Sequence, residues 1–126
     1  MRDYVLGYTC LNDVTARDLE LRGLPMRAKG FDSFCPIGPC IATDIDPNAV
    51  AVEAYVNGEL RQASSTKELV VPVEEIVASI SRIMTLLPGD VIATGTRTGA
   101  GSLEPGDRVE VRIEGIGILK NSVVRL

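Results

Sequence analysis

The sequence predicts a mixed α+β domain that is mostly β, with two short helices. Apolar and polar side chains alternate over residues 49–55 and 109–114, which is the pattern of half-buried strands. An Asn57-Gly58 pair follows the first of these segments, and this dipeptide is typical of a tight hairpin turn. Apolar residues recur at the three-and-four spacing of a helical face over residues 73–84. Strands are therefore expected to be the main structure and helices the minor one.

The first element is predicted to be a strand over Tyr4–Leu11, which is rich in aromatic and β-favouring residues. It should be buried on both sides, because its apolar residues do not alternate cleanly. A short helix is predicted from about Asn12 to Arg22, since small polar cap residues precede helix formers there. Gly23 and Pro25 should end this helix.

The middle of the chain is predicted to contain an irregular loop and a hairpin. Proline and glycine interrupt residues 30–47, so only Ile37–Thr43 is expected to be extended. Residues 49–55 should form a strand that turns at Asn57-Gly58 into a second strand beginning at Glu59.

The last third is predicted to hold a helix and two strands. Pro72 suits the first turn of the helix, Glu74 and Glu75 suit its positive end, and it should end near Leu87. Strands are expected at 109–114 and around 118–124. No linker or low-complexity segment divides the chain, so residues 1–126 are interpreted as a single domain.

Size and charge narrow the classes of function. The 126 residues, 45% of them hydrophobic, suit one compact domain. Thirteen Lys and Arg against 17 Asp and Glu give a net charge of −4, so neither nucleic acid nor an anionic membrane is an expected partner. Uncharged apolar segments fall far short of the roughly 20 residues of a membrane-spanning helix, and the opening residues do not resemble a signal peptide. We therefore expect a cytoplasmic protein.

The counts of histidine and cysteine limit the chemistry. The chain has no histidine, which excludes a Ser-His or Cys-His nucleophile pair and an imidazole metal site built from this chain alone. Its three cysteines, Cys10, Cys35 and Cys40, form no Cys-x-x-Cys motif and are expected to be small core residues. Catalysis would have to use carboxylates, lysine, backbone amides, water or a partner segment.

Three segments carry side chains suited to a site, and each has a purely structural alternative. Asp13 lies at a strand-to-helix junction, where it either caps the helix or faces a pocket; Arg17 and Asp18 nearby are interpreted first as an ion pair. Lys29 either holds a carboxylate or enolate with its ammonium, or buries its stem and leaves the ammonium in water. The turn at residues 93–101 either cradles an oxyanion or is an ordinary tight connection.

A series of motifs follows one order along nearly the whole chain. They are Gly7-Tyr8-Thr9, Asn12-Asp13-x-Thr15-Ala16-Arg17-Asp18, Ala28-Lys29-Gly30-Phe31-Asp32, Pro36-Ile37-Gly38-Pro39, Val56-Asn57-Gly58-Glu59, Pro88-Gly89-Asp90 and Thr94-Gly95-Thr96. In order and spacing they closely resemble the fumarylacetoacetate hydrolase family. That resemblance implies the family's β-roll fold, a homodimer, and Mg²⁺ or Mn²⁺ as cofactor. It also implies isomerisation, decarboxylation or hydrolysis of 2-oxo or 2-hydroxy-dienoic acids through a metal-bound enolate.

The resemblance also implies roles for individual residues. Asp13 matches a carboxylate ligand of the metal, and Ser33 matches a position where some members bring a hydroxyl near the metal. Lys29 matches the lysine that lies against substrate and metal oxygens and stabilises the enolate. Thr96 matches a threonine that contacts the substrate. Arg17 matches a residue beside the site that is expected to orient Asp13.

Two departures from the family pattern bear on the function. The family's Glu-x-Glu metal ligands and its water-activating histidine precede Asp13, whereas Met1 stands twelve residues before Asp13 and the chain has no histidine. We therefore expect the chain to be the C-terminal portion of a longer catalytic domain, itself incomplete. Glu20 also stands where the family often has a substrate-contacting glutamine, so substrate recognition at that position is in question.

Two hypotheses follow from these observations. The first is a metal-dependent enzyme of 2-oxo-acid or aromatic catabolism, active when complete. Its nearest relatives by resemblance are 2-hydroxyhepta-2,4-diene-1,7-dioate isomerase, 5-carboxymethyl-2-hydroxymuconate isomerase and acylpyruvase. The second is a catalytically incomplete fragment or paralogue that serves as an oligomerisation or binding module.

Overall fold

The computed structural model describes residues 3–96 and 98–125. Its elements, in chain order, are β1 (Tyr8–Leu11), α1 (Arg17–Leu21), α2 (Pro25–Lys29), β2 (Ile37–Ala42), β3 (Ala51–Val56), β4 (Glu59–Ser65), a 3₁₀ turn (Thr66–Glu68), α3 (Val73–Ser81), β5 (Arg108–Ile113) and β6 (Gly117–Ser122). The predicted mixed α+β class with mostly β structure is confirmed.

The strands form two antiparallel sheets. β1 pairs with β2, and the larger sheet has the order β4-β3-β5-β6. The predicted hairpin is confirmed, because Asn57 and Gly58 both have positive φ, at 52° and 82°, as a primed turn requires. The asparagine side chain also links the turn to β5, because its Oδ1 accepts from the amide of Arg108 at 2.9 Å and its Nδ2 donates to Asp107 at 2.8 Å.

The core is small and lies between the two sheets. Cys10 of β1 packs with Val111, Ile116 and Leu119, and burial raises the pKa of its thiol. The expectation that all three cysteines are core residues is wrong for Cys35 and Cys40, which are exposed.

The first predicted strand is wrong in extent. Strand pairing with β2 begins only at Tyr8, and Tyr4 and Leu6 are 87% and 78% exposed rather than buried on both sides. Aromatic and apolar composition indicated a strand, but the backbone partners that make one start later.

The predicted number of helices is also wrong, because the structure has three α-helices instead of two among the described residues. α1 begins at Arg17, later than expected, and Pro25 starts α2 instead of only ending α1. Proline at the first helical position loses no hydrogen bond, so Pro25 is compatible with a new helix. Pro72 precedes α3 as its N-cap residue instead of lying in its first turn, and the helix ends at Ser81, before the expected Leu87.

The outward face of the larger sheet carries a charged network. Arg112 Nη2 donates to Glu110 at 2.7 Å and Lys120 Nζ donates to it at 3.0 Å. The Arg112 guanidinium also lies over the Tyr55 ring, 4.2 Å from its centre, and the Tyr55 hydroxyl donates to Glu53. Along these strands apolar residues alternate with the charged ones, so the opposite sheet face is apolar and faces inward.

In residues 3–96 and 98–125 no helix combines the length and the apolar character needed to cross a bilayer.

Candidate functional site

The inward face of the larger sheet borders a wide, open cavity of about 3510 Å³. β1, the loop after it, α3 and the turn near Thr96 form its other walls. More than half of the described residues line this cavity, and they include the six predicted site residues: Asp13, Arg17, Glu20, Lys29, Ser33 and Thr96.

Asp13 and Lys29 are in direct contact at the cavity wall. The Lys29 ammonium donates to Asp13 Oδ2 at 2.6 Å and to the Thr15 hydroxyl at 3.0 Å. Their side chains are 41% and 48% exposed, for Lys29 and Asp13 respectively, so the pair is open to the cavity. Two residues sixteen positions apart, on different elements, are therefore brought together at the cavity wall.

Backbone hydrogen bonds explain why the pair forms. The amide of Ala16 donates to the carbonyl of Ala28 at 2.9 Å, which ties the segment after β1 to the end of α2. The amide of Asn12 donates to the carbonyl of Pro36 at 3.1 Å, which ties the same segment to the start of β2. Asp13 follows Asn12 and Lys29 follows Ala28, and both of these neighbours take part in the two hydrogen bonds. The backbone therefore determines the distance between the Asp13 and Lys29 side chains.

The capping interpretation of Asp13 is not what the structure shows. The N-cap residue of α1 is Ala16, and no side chain caps that helix. Asp13 accepts from Lys29 instead, and its Oδ1 has no hydrogen-bond partner among the described residues. One carboxylate oxygen thus remains available on the cavity side.

Lys29 also retains binding capacity. An ammonium has three N–H donors, and the contacts with Asp13 and Thr15 use two of them. The third has no acceptor among the described residues, so it can donate to an oxygen of a molecule in the cavity. The alternative, a lysine that buries its stem and leaves its ammonium in water, stays open for this third donor because the Lys29 side chain is 41% exposed.

Arg17 and Glu20 form a second charged pair, one helical turn apart on α1. The Arg17 guanidinium contacts the Glu20 carboxylate rather than Asp18, the partner interpreted first, or Asp13. The role of Arg17 in orienting Asp13 therefore stays a prediction, since Lys29 is the described residue that holds Asp13 here. Glu20 faces the cavity with its charge balanced by this pair.

Ser33 lies in the loop between α2 and β2. Its φ of 64° is in the left-handed region, and the rings of Phe31 and Phe34 pack at 5.2 Å beside it. Ser33 makes no hydrogen bond with Asp13 or Lys29, so its place near a metal also stays a prediction.

Thr96 lines the cavity from the turn that follows residues 88–93, and its partner is Gln62 of β4. The Gln62 Nε2 donates to Thr96 Oγ1 at 3.0 Å. Sequence analysis did not select Gln62. Counting from the Asn57-Gly58 turn would place Arg61 opposite inward-facing Ala54, and only a β-bulge between Tyr55 and Ala54 brings Gln62 to that position, so local sequence gave no signal for it.

Mg²⁺ and Mn²⁺ take several oxygen ligands, mostly carboxylates and water. Within residues 3–96 and 98–125 no three His, Cys, Asp or Glu side chains come together in a metal-binding group. Asp13 alone therefore does not make a divalent-metal site, and further ligands would have to come from elsewhere.

The family comparison gives a match over almost the entire sequence. The model of the family described as fumarylacetoacetate (FAA) hydrolase C-terminal matches residues 1–124. A protein of Methanocaldococcus jannaschii is 57% identical over 122 residues, which are 96% of this chain and 52% of that protein. Oxaloacetate tautomerase YisK of Bacillus subtilis is 39% identical over 132 residues, covering 96% of this chain and 44% of that enzyme.

Solved structures give the same result. 5-Carboxymethyl-2-hydroxymuconate delta-isomerase from Mycobacterium smegmatis has a TM-score of 0.96 at 52% identity, over 99% of this chain and 50% of that one. Maleylpyruvate hydrolase from Sphingobium, solved with manganese(II) and pyruvate, has a TM-score of 0.88 at 40% identity, over 98% and 46%. The chain spans about half the length of the curated relatives that it matches.

Proposed function

This chain belongs to the fumarylacetoacetate (FAA) hydrolase C-terminal family, and from that premise we propose that it supplies part of the active site of an enzyme that acts on small 2-oxo acids. Relatives are named isomerase, hydrolase and tautomerase, so enzymes of this family share a scaffold but differ in reaction. The proposed common step is formation of an enolate from the 2-oxo acid.

The contact between Lys29 and Asp13 carries this proposal. Removing a proton from the carbon beside a ketone places negative charge on the ketone oxygen. The remaining N–H donor of Lys29 lies at the cavity wall and supplies a fixed positive charge for that oxygen. A donor held in place before the reaction stabilises developing charge without reorganising, and this is a large contribution in such sites.

The remaining residues are assigned around this centre. Thr96 offers a hydroxyl to the substrate, and Arg17 and Glu20 line the cavity at its α1 wall. In the complete protein we assign to Asp13 one coordination position of Mg²⁺ or Mn²⁺, with other carboxylates supplied from outside this chain and Ser33 nearby. A relative solved with manganese(II) supports use of a divalent ion. We also propose that this chain is the C-terminal portion of a longer catalytic domain. The complete protein is proposed to be a homodimer and to be cytoplasmic.

The test compares two lysine variants of the full-length protein. Enol-to-keto conversion of oxaloacetate is followed by ultraviolet absorbance with Mg²⁺ or Mn²⁺ present. Lys29→Met should lower turnover roughly 100-fold, as expected for loss of one charge-stabilising donor. Lys120→Met is the matched control, because Lys120 pairs with Glu110 on the outward sheet face and should leave turnover unchanged. Equal turnover in both variants, or a loss of turnover that only matches a loss of stability, would reject the role of Lys29.

The substrate is identified by comparing three classes named by the relatives. Oxaloacetate, maleylpyruvate and 5-carboxymethyl-2-hydroxymuconate are offered to the same preparation, and kcat/KM is measured for each. A preference of roughly 100-fold or more for one of them assigns the reaction class. Absence of turnover with all three would contradict the enzymatic proposal.

A second candidate function is favoured by the exposed apolar side chains. Val70, Met26 and Ile83 are 99%, 86% and 83% exposed, and the described residues place one carboxylate beside Lys29. A chain of this kind would serve as a binding or oligomerisation module without turnover. The substrate panel separates the two functions, because the module alone turns over none of the three acids.

A further inference from the structure

Gln62 connects the sheet to the turn that carries Thr96. It lies on β4 opposite Ala54 of β3, on the sheet face that borders the cavity. Its amide nitrogen donates to Thr96 Oγ1 at 3.0 Å, across 34 positions of sequence. β4 therefore determines where the Thr96 side chain lies.

The direction of this hydrogen bond matters for what Thr96 can bind. A threonine hydroxyl has one O–H donor and two acceptor lone pairs. Because the Gln62 amide donates to Thr96, it occupies one lone pair and leaves the hydroxyl proton free to point elsewhere. An anionic oxygen in the cavity is a favourable acceptor for that proton.

A close backbone contact holds the same turn against β4. Gly99 lies directly over the carbonyl oxygen of Arg61, and a methyl group at Gly99 would also come within 3.2 Å of Gln62 Cγ. Its φ of +106° is in the region that favours glycine. The turn thus meets β4 at two points, a hydrogen bond at Gln62 and a close approach at Arg61.

We propose that Gln62 is a positioning residue that holds the Thr96 hydroxyl as a hydrogen-bond donor to an anionic oxygen of the 2-oxo acid in the cavity. The proposal rests on the proposed function and adds a specificity element to it. Gln62 acts through Thr96, so its removal weakens substrate binding more than it slows the chemical step.

The first test measures KM and kcat for oxaloacetate in full-length variants. Gln62→Met removes the amide at similar volume and should raise KM about tenfold while changing kcat less than about threefold, the size expected for one hydrogen bond. Gln62→Glu should raise KM further, because the new carboxylate accepts the Thr96 proton and repels an anionic substrate. Glu59→Gln, on the same strand but outside the cavity lining, is the control. Unchanged KM in Gln62→Met overturns the proposal. Retention of wild-type KM by Gln62→Glu overturns the stated direction of the hydrogen bond.

The second test is a double-mutant cycle. If Gln62 acts through Thr96, Gln62→Met should have no further effect on KM once Thr96→Val is present. Thr96→Ser keeps the hydroxyl and should stay near wild type, and Gly99→Ala should resemble Thr96→Val because it displaces the turn. Additive effects of Gln62→Met and Thr96→Val would overturn the proposal.

A third measurement separates this proposal from the proposed function. Pyruvate binding is measured by calorimetry, with and without Mn²⁺, in wild type and in Gln62→Met. Weaker binding in the variant supports the role of Gln62 even if no turnover is detected, and in that case only the enzymatic proposal fails. Turnover with equal pyruvate affinity in both proteins leaves the enzymatic proposal standing and overturns the role of Gln62. Absence of both binding and turnover in wild type overturns both.

Discussion

At the residue scale, two surface side chains, Asp13 and Lys29, come together as a candidate site. Each alone had a structural interpretation, as a helix cap and as a hydrated lysine. The tie between Ala16 and Ala28 brings them within 2.6 Å at the cavity wall. Asp13 keeps one carboxylate oxygen and Lys29 keeps one N–H donor that no described residue occupies. The pair can therefore bind a cation and an anionic oxygen side by side.

This arrangement predicts a metal-binding effect of Asp13. In the full-length protein, Asp13→Asn should weaken Mn²⁺ binding roughly tenfold or more, because the amide removes one of the few negative ligands. Titration followed by electron paramagnetic resonance measures free Mn²⁺ directly. The 126-residue chain alone should bind Mn²⁺ weakly, because no three-residue ligand group occurs among its described residues.

Asp44→Asn is the matched control for this titration. Asp44 is an exposed aspartate that does not line the cavity. The control should bind Mn²⁺ as the wild type does. Equal affinity in wild type and Asp13→Asn, with both folded by circular dichroism, would remove Asp13 from the metal site.

At the element scale, the larger sheet supports the site from its opposite face. Hydrogen bonds from Arg112 and Lys120 hold the pKa of Glu110 below its usual value, and the Glu110 side chain is only 12% exposed. β5, which carries Glu110 outward, places Val109 and Val111 inward along the cavity. The charged network therefore stabilises the strand that forms part of the cavity wall.

The lowered pKa of Glu110 predicts a pH dependence of stability. Because the folded pKa is below the unfolded one, the ionised carboxylate stabilises the fold above the unfolded pKa, and this contribution is lost as the pH falls through the folded pKa. Glu110→Gln should thus lower the free energy of unfolding near neutral pH, and its difference from wild type should shrink below about pH 4.5. Urea unfolding at a series of pH values measures this difference.

Glu104→Gln is the control for the pH series. The Glu104 side chain has no partner in the described part of the chain, so its substitution should change stability little at any pH. A difference between Glu110→Gln and wild type that stays constant from neutral to acid pH would contradict the role assigned to Glu110.

At the scale of the whole molecule, the apolar surface exceeds what the small core can cover. Eight hydrophobic residues are buried among those described, whereas large apolar side chains such as Val70, Ile83 and Leu87 are exposed. Monomeric proteins rarely expose extended apolar surface unless something binds there. The chain spans about half the length of its curated relatives, and we propose that a further segment of the complete protein covers this surface.

This exposure predicts the behaviour of the chain in isolation. The 126-residue chain should bind a hydrophobic dye and self-associate, and co-expression with the preceding half of a homologous enzyme should reduce both. Sedimentation velocity and dye fluorescence measure the two effects. Val70→Ser, at a site 99% exposed, should lower dye binding without lowering stability. A monomer that binds no dye would contradict this expectation.

Local patterns predicted much of the fold. The hairpin at Asn57-Gly58 was correct because two positive φ values need those residues, and β3 and β5 followed from alternation over short distances. α2 was missed, because a proline can either follow the end of one helix or occupy the first position of the next, and Pro25 does the latter. The burial of Tyr4 was wrong, because burial depends on neighbours that strand propensity does not include.

The sequence by itself determined the mostly β class, the family resemblance and, through that resemblance, six of the residues that line the cavity. Those depend on residue type and spacing, which are local properties. Tertiary structure alone decided that Asp13 accepts from Lys29, that Arg17 contacts Glu20, and that Gln62 donates to Thr96. Two of these three contacts join residues 16 and 34 positions apart, and the third selects one of several nearby acids, so their partners depend on how the packed backbone orients each side chain.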